Sequence, residues 1–452
     1  MDYLKKNKWV ALVAGLMAGS SSYLAAQPAK QLTLNEAIEL SINNSKSLKL
    51  SDAKVAEAAA ALDEAKMKQY PDLKVQAAYM RLNQPNYNLK ISSGSSDTTG
   101  SGSQSSEIKV NQVMYGMATA SVPLFAGLQI RNGIEAAKYL KTAAELDARQ
   151  DKAALVQNTI AAYFNLYKAQ SAVALVRENL KQATQRVKDF GNLETNGLLA
   201  RNDLLKAQLQ KSNVELALLD AENNLRITNF NMDLMLGLDE NTQLEITGNA
   251  MGNPHNVPSM PEWETGALAN RADLKAMQQR GLAGKAGVKA AIGGYYPSLA
   301  LTGGYVAADV PNVFSVYNAI NVGVGLSYNI ASLYKNGATV KKAKAQEQQL
   351  YWAQAELSDG IKMQIHQAYQ NYMESLKKVE VYKVAVEQAN ENYRITKNKY
   401  DNALVNTTDL LDADVAQLQA HLNYEFAKAD AEVAYNKLHE TAGDTDYGST
   451  KK

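Results

Sequence analysis

The sequence predicts long α-helices joined to a few membrane-spanning β-strands, with one structural unit present twice. Two proline-free stretches of about 60 residues have apolar residues that recur in alternating steps of three and four, as in packed helices. A further stretch alternates apolar with small or polar residues at a period of two, which is typical of a strand. Short motifs recur in the same order in both halves of the chain, which indicates a duplication.

Composition excludes several classes of protein. The 452 residues carry 47 Lys and Arg against 46 Asp and Glu, so net charge gives no reason to expect nucleic-acid binding. The absence of cysteine excludes disulfides, thiolate metal ligands and a cysteine nucleophile. A mean hydropathy of −0.33 is incompatible with a bundle of transmembrane helices, each of which needs ~20 mostly apolar residues.

Residues 1–26 have the order of a secretory signal peptide. Lys5, Lys6 and Lys8 precede an apolar run from Trp9 to Ala18, and small residues then lead to Ala26. The alternative interpretation is a buried N-terminal helix. Cleavage after Ala26 is predicted, so the mature chain is expected to work outside the cytoplasm.

Three pairs of matching motifs indicate the duplication. Pro71 to Val75 matches Pro297 to Leu301, and Arg131-Asn132-Gly133 matches Lys335-Asn336-Gly337. Asp203-Leu204-Leu205 matches Asp409-Leu410-Leu411. The predicted first repeat spans 27–250, the second 251–441, and a tail follows at 442–452. The first repeat is longer because it contains the Ser-, Gly- and Thr-rich stretch from Ser92 to Ser106, which predicts an exposed loop.

Each repeat is predicted to contain one very long helix, from about Asn132 to Phe190 and from about Asn336 to Tyr400. At 1.5 Å per residue such helices are rods of roughly 90–100 Å, which must lie against other rods. The predicted seams are Leu155, Thr159, Ala162, Leu166, Ala169, Val173, Val176, Leu180, Ala183, Val187 and Phe190 in the first helix, and Ile361, Ile365, Ala368, Tyr372, Ser375, Val379, Tyr382, Val386, Ala389, Tyr393, Thr396 and Tyr400 in the second. A second stripe beside the first seam (Val156, Ile160, Tyr163, Tyr167, Ala174) favours a closed tube of helices over a simple coiled coil.

The clearest strand pattern runs from Asn318 to Ile330, about as long as the ~9–11 residues of a tilted transmembrane strand. Leu73 to Tyr79 also alternates clearly, and the partners Asn111 to Leu124 and Ser298 to Ala307 alternate less well. A soluble β-sandwich would give the same pattern, but the export signal favours a membrane. Because single-chain barrels have about eight strands or more, four strands per chain require several chains to share one barrel.

The chain resembles the TolC-like outer-membrane efflux and secretion channels over nearly all of the mature sequence. The resemblance rests on the opening Leu32 to Ala37, the junctions Tyr70-Pro71 and Tyr296-Pro297, the pairs Asn132-Gly133 and Asn336-Gly337, and the segment Asp409 to Ala413. It implies a homotrimer in which a twelve-stranded outer-membrane β-barrel, four strands per chain, continues into a periplasmic α-helical barrel. It also implies docking on a periplasmic adaptor protein and an inner-membrane transporter.

The resemblance places the narrowest part of the channel at Asp409 and Asp412, where family members carry two rings of acidic side chains. Their spacing of three puts both carboxylates on one helix face, and rings of carboxylates favour cations. The alternative is that Asp409 caps its helix with support from Thr407 or Thr408.

The resemblance also implies the contacts that close the channel tip. Asn202, Asp203 and Tyr400 match the family's tip-closing positions. Val405 stands where a basic side chain would pair with the acidic group of the first repeat, and Arg201, which lies next to Asp203 in the sequence, is the alternative basic residue. The adaptor is expected to dock on two turns, formed by Gly197, Leu198 and Leu199 and by Ala403, Leu404 and Val405.

No catalytic constellation is recognised. His255, His366, His421 and His439 lack metal-ligand spacing, and the paired glycines lack the features of a nucleotide-binding loop. The sequence therefore predicts no enzyme, cofactor or metal site. The hypothesis is a passive exit duct of a tripartite efflux or type I secretion system, with a periplasmic coiled-coil structural or adaptor protein without a pore as the alternative.

Overall fold

The computed structural model describes residues 30–83, 110–247, 257–311 and 313–444. The first repeat contains β1 (Lys30–Leu32), α1 (Leu34–Asn44), α2 (Lys46–Met67), β2 (Asp72–Arg81), β3 (Gln112–Ala126), α3 (Gln129–Thr195) and α4 (Arg201–Leu236). β4 (Leu244–Ile246) follows within the predicted first repeat, and the second contains α5 (Met260–Asn270), α6 (Ala272–Gly293), β5 (Ser298–Val310), β6 (Phe314–Ser327), α7 (Ser332–Asp401) and α8 (Thr407–Thr441). The same order of elements in both halves confirms the predicted duplication.

The two long helices, α3 with 67 residues and α7 with 70, are confirmed and extend a few residues beyond their predicted ends. In the described residues no helix is both long enough and apolar enough to cross a membrane. The predicted signal peptide (1–26), the loop from Ser92 to Ser106 and most of the predicted tail lie outside the described residues. They stay predictions, as do the exact boundaries of the two repeats.

The chain divides into two compact units. The helical unit comprises the described parts of Met1–Lys49, Asp151–Arg271 and Ile361–Lys452. The strand unit comprises the described parts of Leu50–Gln150 and Ala272–Gly360.

The strand unit contains an antiparallel sheet in the order β2-β3-β5-β6. One row across all four strands is Val75, Ala118, Tyr305 and Ile320, and the next row is Lys74, Thr119, Gly304 and Asn321. Because residues that are paired directly across an antiparallel sheet share a face, the apolar positions of β2 and β6 fall on the same side. Among the described residues nothing covers this apolar face, with Val75 83% and Ile320 77% exposed.

Two irregularities interrupt the pairing of the sheet near the ends of the predicted partner segments. The register between β3 and β5 shifts between Pro123 and Phe125, and that between β5 and β6 shifts where Asn318 adopts a positive φ of 59°. An extra residue at a bulge interrupts the two-residue period. The strand predicted from Asn318 to Ile330 accordingly begins earlier and ends earlier, because its last pair joins Ser327 to Ser298.

The helical unit has its core around α3. Tyr163, Phe164 and Leu166 are almost completely buried and cluster with Met232 and Leu236 of α4. The predicted seam is confirmed over most of its length, since its buried members are Thr159, Ala162, Leu166, Ala169, Val173, Val176, Ala183 and Phe190. In α7 the seam is buried at Ile361, Ile365, Ala368 and Tyr372, and half-buried in the direction of Tyr400.

Candidate functional site

The helical unit contains two helical hairpins whose turns hold the predicted docking and closing residues. We call α3 and α4 the first hairpin and α7 and α8 the second. Both turns stop their first helix by the same hydrogen bonds: the Leu198 amide donates to the Leu193 carbonyl at 2.8 Å, and the Leu404 amide donates to the Lys399 carbonyl at 2.8 Å. This pattern is a Schellman motif, which requires a left-handed residue just before each leucine.

The left-handed residue differs between the two turns. It is Gly197 (φ 73°) in the first hairpin and Ala403 (φ 57°) in the second. A Cβ costs free energy in this conformation, whereas glycine adopts it readily. The backbone conformation of the turn is therefore the same in both hairpins, although the left-handed residue differs.

Exchanging these two residues is expected to change stability in opposite directions. Ala403→Gly should raise the free energy of unfolding by about 0.5–1 kcal/mol by relieving the strained φ. Gly197→Ala should lower it by about 1 kcal/mol, since a Cβ there would meet no described atom within 4 Å and only the conformation matters. Denaturant unfolding of the purified variants measures both, and a change of the same sign in both would contradict the explanation.

Each turn presents one exposed leucine at the position after the left-handed residue. Leu198 is 74% and Leu404 73% exposed, whereas Leu199 and Val405 are half-buried. Each predicted docking turn thus comprises an exposed left-handed residue, an exposed leucine and a half-buried apolar neighbour. Their role in docking stays a prediction.

Asp409 and Asp412 lie in the first turns of α8 and are both exposed. The Asn406 side chain accepts a hydrogen bond from the Asp409 amide at 3.0 Å, and the Asp409 carboxylate accepts one from the Asn406 amide at 3.3 Å. This reciprocal pair is a capping box, so Asp409 does take part in capping its helix, with Asn406 rather than a threonine as the cap residue. Thr407 is instead buried, and a ring role for the two carboxylates stays a prediction.

The predicted closing residue Tyr400 joins the two hairpins. Its ring stacks on Phe190 of the first hairpin at 5.6 Å between centroids, and its hydroxyl lies 3.4 Å from the Thr407 hydroxyl. Phe190 also belongs to a small apolar cluster with Leu204 and Leu410, one residue from each returning helix. The apolar contact between the hairpins is therefore continuous near their turns.

Asp203 and Asn202 make a different set of contacts. Lys206 lies with its ammonium nitrogen 3.5 Å from the Asp203 carboxylate and donates to the Thr408 hydroxyl at 3.2 Å. Asn202 is exposed, and Arg201 pairs within the chain with Glu194 at 3.4 Å rather than with Asp203. Sequence reasoning missed Lys206, the residue that links the beginning of α4 to the beginning of α8.

A buried ion pair lies deeper between the hairpins and was also missed. Arg186 Nη1 of α3 lies 2.9 Å from Asp414 Oδ2 of α8, with side chains 9% and 0% exposed. Arg186 Nη2 donates to the Tyr393 hydroxyl of α7 at 3.2 Å, and Asn179 Nδ2 donates to Asp414 Oδ1 at 3.4 Å. Burial lowers the pKa of Arg186, but the hydrogen bond and charge of Asp414 outweigh this and leave the pKa above its ordinary value.

Of the three histidines that the structure describes, His421 and His439 have side-chain partners and His366 is exposed. His421 Nε2 lies 3.0 Å from the Asn390 amide oxygen, and His439 Nδ1 lies 2.9 Å from Asp444 Oδ2. Among the described residues no group of three or more His, Asp or Glu side chains is arranged to hold a metal ion. His255 lies outside them.

A four-stranded sheet with one apolar face, combined with two long helical hairpins, defines the fold of an outer-membrane channel subunit. The family model "Outer membrane efflux protein" matches residues 37–238 and 265–444. The chain therefore belongs to the outer membrane efflux protein family, and it is an outer-membrane protein whose helices form the periplasmic part.

Known relatives agree with this assignment. The outer membrane efflux protein BepC of Brucella suis biovar 1 (strain 1330) is 24% identical over 252 residues, which are 54% of this chain and 52% of BepC. The match thus spans about half the length of this curated relative. The outer membrane channel CmeC of Campylobacter jejuni shares the fold, with 17% identity and a TM-score of 0.77 over 91% of this chain and 85% of CmeC. The outer membrane protein VceC of Vibrio cholerae also shares it, with 18% identity and a TM-score of 0.75 over 91% of this chain and 96% of VceC.

Proposed function

We propose that the protein is a passive channel through which efflux substrates leave the cell across the outer membrane. The observation that carries the proposal is the apolar face of the sheet. The register brings exposed apolar residues of its two edge strands, such as Val75 and Ile320, onto one side, and rows containing Lys74 and Asn321 onto the other. A sheet with two such faces is suited to contact lipid on its apolar side and a water-filled lumen on the other.

The same observation disfavours the alternative of a periplasmic structural or adaptor protein without a pore. Soluble proteins rarely expose a contiguous apolar surface larger than a few hundred Å². Family membership supports the channel as well, and the predicted signal peptide at 1–26 would supply the export that it needs. The proposal includes no catalysis, cofactor or metal.

The channel is proposed to be a homotrimer. The sheet ends in β2 and β6, and open edges are not tolerated in lipid, so further strands must come from other copies. Three copies would give the twelve-stranded barrel that the family resemblance implies. Large exposed apolar side chains on α4, such as Leu209 and Leu216, offer surface on which another copy can pack.

The tip is proposed to dock on a periplasmic adaptor, which connects it to an inner-membrane transporter. Leu198 and Leu404 support this, because two large exposed apolar side chains, each on a turn with the same hydrogen bonds, are typical of a binding surface. In a trimer the two turns would present six such leucines. The cargo depends on the transporter and is not specified by these residues.

The constriction is proposed at Asp409 and Asp412. The capping box holds the Asp409 carboxylate at the beginning of α8, and Asp412 follows on the same helix face. Six carboxylates in a trimer would concentrate negative potential and favour cations.

Recording purified trimers in a planar lipid bilayer tests the proposed function. We expect discrete conductance steps with cation selectivity, and the absence of any conductance from intact trimers would refute the channel. The double variant Asp409→Asn with Asp412→Asn is expected to lower the cation-to-anion permeability ratio severalfold. Asp220→Asn, which neutralises an exposed carboxylate within α4, is the control and should leave the ratio unchanged. If the double variant also leaves it unchanged, these residues do not form the constriction and Asp409 keeps only its helix-cap role.

A further inference from the structure

We infer that Arg186 and Asp414 form the charged latch that holds the two hairpins of one chain together in the closed channel. The inference rests on the proposed channel function and names residues that regulate it. It assigns the charged contact to a buried pair between the hairpins instead of to the turns.

The geometry places this pair between three helices. Arg186 belongs to α3, its carboxylate partner Asp414 to α8, and its hydroxyl partner Tyr393 to α7. The guanidinium of the first hairpin is therefore inserted between both helices of the second. The hairpins cannot separate at this level without breaking the ion pair and the hydrogen bond to Tyr393.

The turns themselves carry no equivalent contact. Val405 has no charge to offer, and Arg201 pairs with Glu194 across the turn of its own hairpin. Lys206 reaches Thr408 of the second hairpin, but its carboxylate partner Asp203 lies on its own helix. A salt bridge that crosses between the hairpins is present instead at Arg186 and Asp414.

Burial makes this pair suitable for a switch. Removing both charges from water costs free energy that the pair recovers only while its partners stay in contact. When the hairpins separate, both charges regain water, so the open arrangement is also favourable for them. Such a contact resists small displacements but supports two distinct packings.

A pair with different burial provides a matched control. Lys168 and Asp430 join the same two helices, α3 and α8, with a nitrogen-to-oxygen distance of 2.8 Å, but Asp430 is 56% exposed. Exposed ion pairs are screened and contribute little. Lys168→Gln should therefore remove an ion pair between the same helices without opening the channel.

The experiment compares the bilayer conductance of resting trimers, after gel filtration has confirmed that each variant is trimeric. Arg186→Gln and Asp414→Asn should each raise the mean conductance at least threefold, because either change leaves one buried charge without its partner. The double variant Arg186→Met with Asp414→Leu removes both charges and keeps apolar bulk, and should return the conductance to the wild-type level. Lys168→Gln should match wild type.

The outcomes separate the latch from the channel itself. If wild-type trimers do not conduct, the proposed function fails. If they conduct and both single variants conduct equally, the latch is overturned. If the single variants do not assemble, Tyr393→Phe decides, since it removes only the hydroxyl that Arg186 contacts: a raised conductance supports the latch, and a wild-type conductance overturns it.

Discussion

Gly293→Ala is expected to destabilise the strand unit by about 3 kcal/mol, within the upper range for forced overpacking. A Cβ at Gly293 would overlap the carbonyl oxygen of Gly127 and lie 2.7 Å from Cγ of Gln129. Gly127 itself has φ 59° and follows β3, so two junctions between strands and helices approach each other through bare backbone. Because the clash involves backbone, a rotamer change cannot relieve it. Thermal or denaturant unfolding of the purified variant measures the loss.

Gly287→Ala on the same helix is the control and should have the opposite sign. A Cβ at Gly287 would meet no described atom within 4 Å, and alanine is a better helix former than glycine by about 1 kcal/mol. Comparing the two substitutions therefore distinguishes the effect of the close backbone approach at Gly293 from the effect of helix propensity, at two nearby positions on α6. Equal effects of the two substitutions would contradict the proposed contact between the junctions.

The sequence predicts the elements of this fold well because its patterns are long and occur twice. The seam from Thr159 to Phe190 needs no knowledge of neighbours, since helical spacing alone marks the buried face. The segment predicted as a strand from Asn318 to Ile330 does form a strand, but the strand begins and ends at other residues, Phe314 and Ser327. Its apolar alternation continues to Ile330, whereas pairing ends at Ser327, because strand ends depend on the partner and not on the pattern.

The first turn could be predicted from its own residues, because a glycine at position 197 is a local signal for a left-handed residue that ends a helix. Tyr400 and the acidic pair at 409 and 412 are identified only through the family resemblance, and their roles stay predictions. Arg186 is different, because its partner lies 228 positions away on another helix. A charged residue flanking an apolar seam is a weak signal, and only the packing of the helices identifies Asp414 as its partner.

Asp233 illustrates a second kind of residue that periodicity does not reveal. It lies fully buried near the end of α4, where its Oδ2 accepts a hydrogen bond from Asn229 Nδ2 at 2.8 Å. Its Oδ1 has no hydrogen-bond partner among the described residues. Burial and, to a smaller extent, the negative charge of Asp239 raise the pKa of Asp233 to about 6. Ionising this carboxyl group is therefore less favourable in the folded protein than in the unfolded chain.

The resulting pH dependence has a definite sign. A carboxyl group whose pKa is raised in the folded state binds its proton more tightly there than in the unfolded chain, so stability increases as pH falls through about 6. Between pH 7 and pH 5 the Asp233 carboxyl should add about 1 kcal/mol to the free energy of unfolding.

Denaturant unfolding at the two pH values measures this contribution as a difference between variants, because other groups titrate as well. Asp233→Asn should remove about 1 kcal/mol of the gain on acidification that wild type shows. Glu240→Gln neutralises an exposed carboxylate a few residues further along and should keep the full gain. If Asp233→Asn and wild type gain equally between pH 7 and pH 5, Asp233 is already ionised at both values, and water must reach its buried oxygen.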